Sequence, residues 1–284
     1  MEVNKSMKNK FIKSLLIFTA ISLCVGIVGC KKGRLLPGKT KAWDECTLSS
    51  NWHGKNANMR IMNILSPNMS DQAFNDRVNW AKSRGVNYFN LFVVNKADGE
   101  YAKYSPFGPN FIANYGNIDK ASTDIMTKRI KKLHKDGFGI VLWFVSDDSN
   151  DWCKKIASNP QPLINTIDSL GWFKYASIVV LGLEMDEYWN GNQVNAIYAA
   201  TRTKWNGKIG THHTSGKYTF APYGDIVFYQ VNPGTAASSI ISQCKNVAAK
   251  TGKKIVAFEI ERQEDRNKCQ QILNSKAAYS VGNW

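Results

Sequence analysis

Among the six cysteines of this 284-residue chain there is no C-x-x-C pair, and no Gly-rich turn follows the first strand-like segment, where "ILSPNMS" stands instead. The first absence argues against a structural zinc site. The second argues against a dinucleotide-binding doubly wound sheet, whose Gly-rich turn holds the pyrophosphate. The apolar run at 14–28 is 15 residues long, short of the roughly 20 that a spanning helix needs. Acidic residues are scarce, 22 against 37 Lys and Arg, for a net charge of +15. No nucleic-acid motif accompanies that charge, so it supports only weak, non-specific attraction to polyanions. What is present is 43% hydrophobic residues over a length that supplies one large core.

The start of the chain reads as a targeting segment. Lys8, Lys10 and Lys13 precede the apolar "SLLIFTAISLCVGIV", which ends in "IVGC" at Ile27–Cys30. Small residues followed by Cys at this place resemble a bacterial lipobox. The resemblance implies a signal peptide over 1–29, lipidation at Cys30 and an exported protein held on a membrane by acyl chains. A plain signal peptide or membrane anchor is the alternative. Residues 30–54 are rich in Gly, Ser, Asn and Lys and suit a tether. The leader carries four Lys and one Glu, so its removal lowers the charge from +15 to +12. In an exported chain Cys46, Cys153, Cys244 and Cys269 have three ways to pair, and buried free thiols are the alternative.

From residue 55 onward one unit repeats: a strand, a turn, an amphipathic helix. Strands are expected at 58–65, 86–95, 138–146, 176–184, 208–214, 225–232, 253–261 and 277–284. Helical spacing is clear in Phe74, Val78 and Ala81 behind an N-cap at Ser70, in Met126, Ile130 and Leu133, and in Leu163, Ile167 and Leu170. The fifth unit lacks a clear helix. Eight strands alternating with helices predict a parallel sheet closed into a single-domain (β/α)8 TIM barrel over 55–284. The rival is an open doubly wound sheet.

Chemistry in such a barrel gathers at the C-terminal ends of the strands. The fourth strand ends in "LGLEMDEYW", which offers Glu184, Asp186 and Glu187, and the seventh in "VAFEIER", which offers Glu259 and Glu261. Period-2 alternation puts Val180, Gly182 and Glu184 on one face, and Ala257, Glu259 and Glu261 on one face. Small residues beneath each acid then leave room at the barrel mouth. Two carboxylates over one pocket are the minimum set for glycoside hydrolysis, one as acid and one as ionised partner. The layout resembles the large clan of retaining (β/α)8 glycoside hydrolases that includes cellulases, mannanases and β-galactosidases. The resemblance implies a carbohydrate substrate, Glu184 as acid/base and Glu259 as nucleophile. It also implies an aromatic residue near the end of the sixth strand, Tyr229 or a neighbour, against the nucleophile, and Trp284 as a sugar platform. It departs from the clan at Leu183, where an Asn is usual. "GLEMDEYW" also resembles a degraded chitinase-type motif, which implies Glu187 as acid and the substrate's acetamido group as nucleophile.

Asp186, Glu187, His212, His213, Tyr229, Gln230, Glu261 and Trp284 are the remaining candidates for substrate contact. His212 and His213 are adjacent, so on a strand they face opposite ways, which argues against one metal held by both. No cofactor, metal or nucleic-acid partner is called for, and a monomer is expected. A catalytically silent glycan-binding lipoprotein on the same barrel is the reading of a different class.

Overall fold

The computed structural model describes residues 67–83, 88–94, 106–108, 111, 114–145, 151–260 and 266–282. Its core is one sheet of seven parallel strands in sequential order. These are β1 Tyr88–Val94, β2 Gly139–Val145, β3 Ile178–Val180, β4 Lys208–His213, β5 Ile226–Gln230, β6 Lys254–Phe258 and β7 Ser280–Val281. They correspond to the expected second to eighth strands; the expected first, 58–65, lies outside the described residues. The helices are α1 Asp71–Ser83, α2 Lys120–Lys135, α3 Asp151–Ser158, α4 Gln161–Ser169, α5 Met185–Tyr188, α6 Gly191–Arg202, α7 Ala237–Thr251 and α8 Arg266–Asn274. Between β4 and β5 stands only a 3-10 turn, Ala221–Tyr223.

Local chemistry explains the helix starts. Ser70 Oγ accepts from Ala73 N–H ahead of α1, and Asp119 Oδ1 from Ser122 N–H ahead of α2. Asn190 and Gln193 form a reciprocal capping box on α6. The apolar stripes Phe74, Val78, Ala81 and Met126, Ile130, Leu133 are buried against the sheet. Helix α3 goes beyond the sequence reading. Its eight residues span too few turns to show a period, although Cys153, Ile156 and Ala157 are buried. Cys153, Cys244 and Cys269 are buried thiols; Cys46 lies outside the described residues. No described helix is long and apolar enough to cross a membrane.

The sheet is curled, and its inner face proves it. β2 and β6 are four places apart in strand order, so in a flat sheet they would stand about 19 Å apart at about 4.8 Å per strand. Yet the Trp143 ring on β2 stacks on Phe258 of β6 at 4.9 Å between centroids. Trp143 also meets Phe92 of β1 at 5.1 Å, His212 of β4 at 5.3 Å and Phe228 of β5 at 5.3 Å. One tryptophan thus touches side chains from four other strands, which only closure towards a barrel allows. With Val141, Ile178, Val180, Ile226 and Val256 these rings fill the interior. Two larger clusters fill the space between sheet and helices.

This interior corrects the expected alternation at both acidic strand ends. On β6 the inward residues are Val256 and Phe258, while Ala257 packs outward against the helices. On β3 Val180 is inward, but the ladder stops there, and Leu183 rather than Gly182 meets the interior cluster. A Cβ on Gly182 would lie 2.4 Å from the Trp189 ring. Gly182 therefore makes room for a tryptophan, and beneath the mouth lies a packed aromatic floor. The alternation fails beyond the ladders, which stop at Val180 and Phe258; each of the two acids that follow has left-handed backbone.

Candidate active site

Glu184 and Glu259 are those residues. Among the described non-glycine residues only Glu184 (φ 43°), Glu259 (φ 57°) and Lys276 (φ 56°) have positive φ. An L-residue there crowds its Cβ against the backbone, at a cost of roughly 1–2 kcal/mol. Strain of this kind concentrates at functional sites, where the surroundings over-determine the geometry. Two of the three positions are the two carboxylates that end β3 and β6.

The backbone after β3 is fixed step by step. Leu181 N–H donates to Gly210 O and Leu183 N–H to Val145 O, so the chain bridges β2 and β4 as it leaves the ladder. Glu184 N–H then donates to His212 Nδ1 at 2.8 Å, and Glu184 O accepts from Glu187 N–H to start α5. Asp186 clips that short helix to the end of β4. Its Oδ1 accepts from Thr214 N–H at 3.0 Å and its Oδ2 from Thr214 Oγ1 at 3.1 Å. Burial raises the Asp186 carboxyl above the usual range, with the Thr214 bonds and Lys217 opposing. Glu187 is exposed and pairs with Lys217 at 3.5 Å.

Glu259 lies one residue beyond β6. Its Oε2 accepts from Gln230 Nε2 at 2.8 Å. Gln230 ends β5, opposite Phe258 in register. The side chain against Glu259 is therefore Gln230, the neighbour of Tyr229. Tyr229 itself points outward, where its Oη accepts from Gly216 N–H at 2.7 Å and meets Gln243 Oε1 at 3.4 Å.

His212 and His213 lie on opposite faces of β4. His212 is fully buried in the interior, between Trp143 and Phe258. His213 is buried on the helix side, where its Nε2 is 3.1 Å from Thr211 Oγ1. Burial holds the His212 imidazole well below its usual range, with His213 adding to the effect, and pulls His213 down to about 3. Both rings are neutral at pH 7.

Among the described residues, the Glu184 backbone is thus held by His212 and the Glu259 side chain by Gln230, while Asp186 joins α5 to the end of β4. Glu261, Trp284 and Cys30 lie outside the described residues. Among the described residues no group of three His, Cys, Asp or Glu is placed to hold a metal ion. Thr214 and Trp189 escaped the sequence reading because neither residue type nor spacing marks them. Only the path of α5 back over β4 brings them into use.

No protein-family model and no curated protein sequence matches the chain. Solved structures do. A GH113 β-1,4-mannanase superposes with a TM-score of 0.52 at 10% identity, covering 84% of this chain and 89% of that one. A provisionally assigned glycoside hydrolase from Bacteroides vulgatus gives 0.60 at 11% identity, covering 90% of this chain and 56% of that one. A GH18 chitinase from Pseudoalteromonas aurantia gives 0.50 at 12% identity, covering 81% and 91%. At such identities the likeness concerns the fold, and the chain has the parallel, curled α/β architecture of a TIM barrel.

Proposed function

We propose that this chain is a glycoside hydrolase that cleaves a poly- or oligosaccharide with retention of anomeric configuration. Glu184 protonates the leaving oxygen while Glu259 attacks the anomeric carbon. Water, deprotonated by Glu184, then releases the sugar from the glycosyl-enzyme. One observation supports the reading: the carboxylates that follow β3 and β6 are both held in left-handed backbone. The neighbours include a mannanase and a chitinase, so the choice of chemistry rests on the side chains. Glu187, the acid of the chitinase-like alternative, is exposed and ion-paired to Lys217, and Asp186 is engaged by Thr214.

A glycan-panel digestion with wild type, Glu184→Gln and Glu259→Gln tests the proposal. Wild type releases sugar and both variants lose activity by at least about a hundredfold. Full activity in both variants would sink the mechanism, and binding without cleavage by wild type would support the glycan-binding alternative. We also propose export and lipid anchoring through Cys30. Fatty-acid labelling that disappears in Cys30→Ser supports the anchor, and unlabelled wild type removes it.

A further inference from the structure

We infer that His212 is a positioning residue for Glu184: its imidazole, buried beneath the mouth, acts on the chemistry only through the backbone of the acid/base. This deepens the proposed function and rests on it. His212 is wholly buried, so it is walled off from a substrate at the mouth. Its Nδ1 accepts from Glu184 N–H at 2.8 Å, which requires the neutral ring with its proton on Nε2. That Nε2–H has no partner among the described residues.

An orphaned buried donor is destabilising, and its surroundings are apolar: Trp143 and Phe258 meet the ring edge-on at 5.3 and 5.5 Å. An aliphatic side chain would suit that interior better. What histidine supplies and an aliphatic residue lacks is an acceptor at the Nδ1 position. That acceptor pins the amide of a residue whose own φ of 43° is unfavourable. Burial keeps the ring neutral, so the acceptor persists across the working pH range.

A second buried atom extends the same layer. Gln230 Oε1 also has no partner among the described residues, while Gln230 Nε2 donates to Glu259. His212 pairs with Phe228 in register, and Gln230 is two residues further along the same face. His212 and Gln230 thus stand diagonally on adjacent strands, about 8 Å apart between Cα atoms by strand geometry. The backbone of one carboxylate residue is held from β4 and the side chain of the other from β5.

The test compares His212→Asn, whose Oδ1 takes the Nδ1 position, with His212→Leu, which removes the acceptor. The expected result is a fall in kcat of about a hundredfold in the Leu variant with KM nearly unchanged, since misplacing a catalytic group by about 1 Å has that effect. The Asn variant recovers most of the loss, although both keep the wild-type fold by circular dichroism. Wild-type kcat in the Leu variant, or equal loss in both, overturns the proposal. A readout independent of activity is the imidazole tautomer by long-range 1H–15N NMR. It should show an unprotonated Nδ1, a protonated Nε2 and no titration between pH 5 and 8; a protonated Nδ1 or a titrating ring refutes the hydrogen bond. If the tautomer is as expected while Glu184→Gln and Glu259→Gln stay fully active, the hydrolase reading has failed and the backbone contact has not.

Discussion

The curl of the sheet can be measured through Trp143 and Phe258. Each side chain is fully buried, so Trp143→Leu and Phe258→Leu should each cost about 2–4 kcal/mol in lost burial and cavity. The informative quantity is the coupling between them. Their rings stack at 4.9 Å and both touch His212 and Phe228. A direct aromatic pair adds about 0.5–1.5 kcal/mol beyond area, so the double variant should depart from additivity by at least that amount. In a flat sheet the same residues would stand about 19 Å apart, where costs add to within about 0.3–0.5 kcal/mol. Urea unfolding followed by far-UV circular dichroism gives all four stabilities. Phe144 and Ile255, which point outward from the same two strands into different clusters, provide an additive control. Additivity of the Trp143 and Phe258 costs would refute the closed interior, and with it the convergence of β3 and β6 on one mouth.

Backbone strain gives a second prediction: Lys276→Gly, at an exposed left-handed position after α8, should raise stability by up to about 1 kcal/mol with activity intact. Glu184→Gly and Glu259→Gly should be more stable than the matching Ala variants by a similar amount and inactive; Ala variants of equal stability would show that neither backbone is strained. A third concerns pH. His212 and His213 titrate below their unfolded value near 6.5, so on acidification the unfolded chain takes up protons that the folded chain refuses. Stability is therefore full above that value and falls below it, down to about pH 3 for His213. Between pH 6.5 and 5 the loss is about 1.5–2 kcal/mol for His213. The pH dependence of the urea midpoint should weaken in His213→Leu, and an unchanged dependence would contradict the burial argument. A fourth concerns Cys244, whose thiol burial pushes up to about 12. It should ignore a thiol reagent in the native protein and react once denatured, so fast native labelling at Cys244 would show its cover to be open.

The parallel α/β class was legible because it depends on local patterns. Ser70 caps, the stripe of Phe74, Val78 and Ala81, and β-branched runs such as "ASIVVLG" declare themselves over a few residues. The carboxylate positions at strand ends were legible too, because strand order assigns them to one end of the sheet. Side-chain direction was not. Alternation assigned Ala257 to the interior, yet Phe258 lies there, since a period-2 argument is reliable only while the strand stays regular. It breaks once the ladders stop, at Val180 and Phe258, short of Glu184 and Glu259.

By itself, then, the sequence determined most of the described elements, their order and the two acidic strand ends, all of which follow from short-range propensity and hydrophobic period. The tertiary structure alone decided that Trp143 would fill the interior and that Gln230 rather than Tyr229 would meet Glu259. It also decided that His212 would hold the Glu184 amide. Those contacts join residues from different strands, 28 or more positions apart in the last two cases. Their geometry depends on how far the sheet curls, which no local pattern encodes.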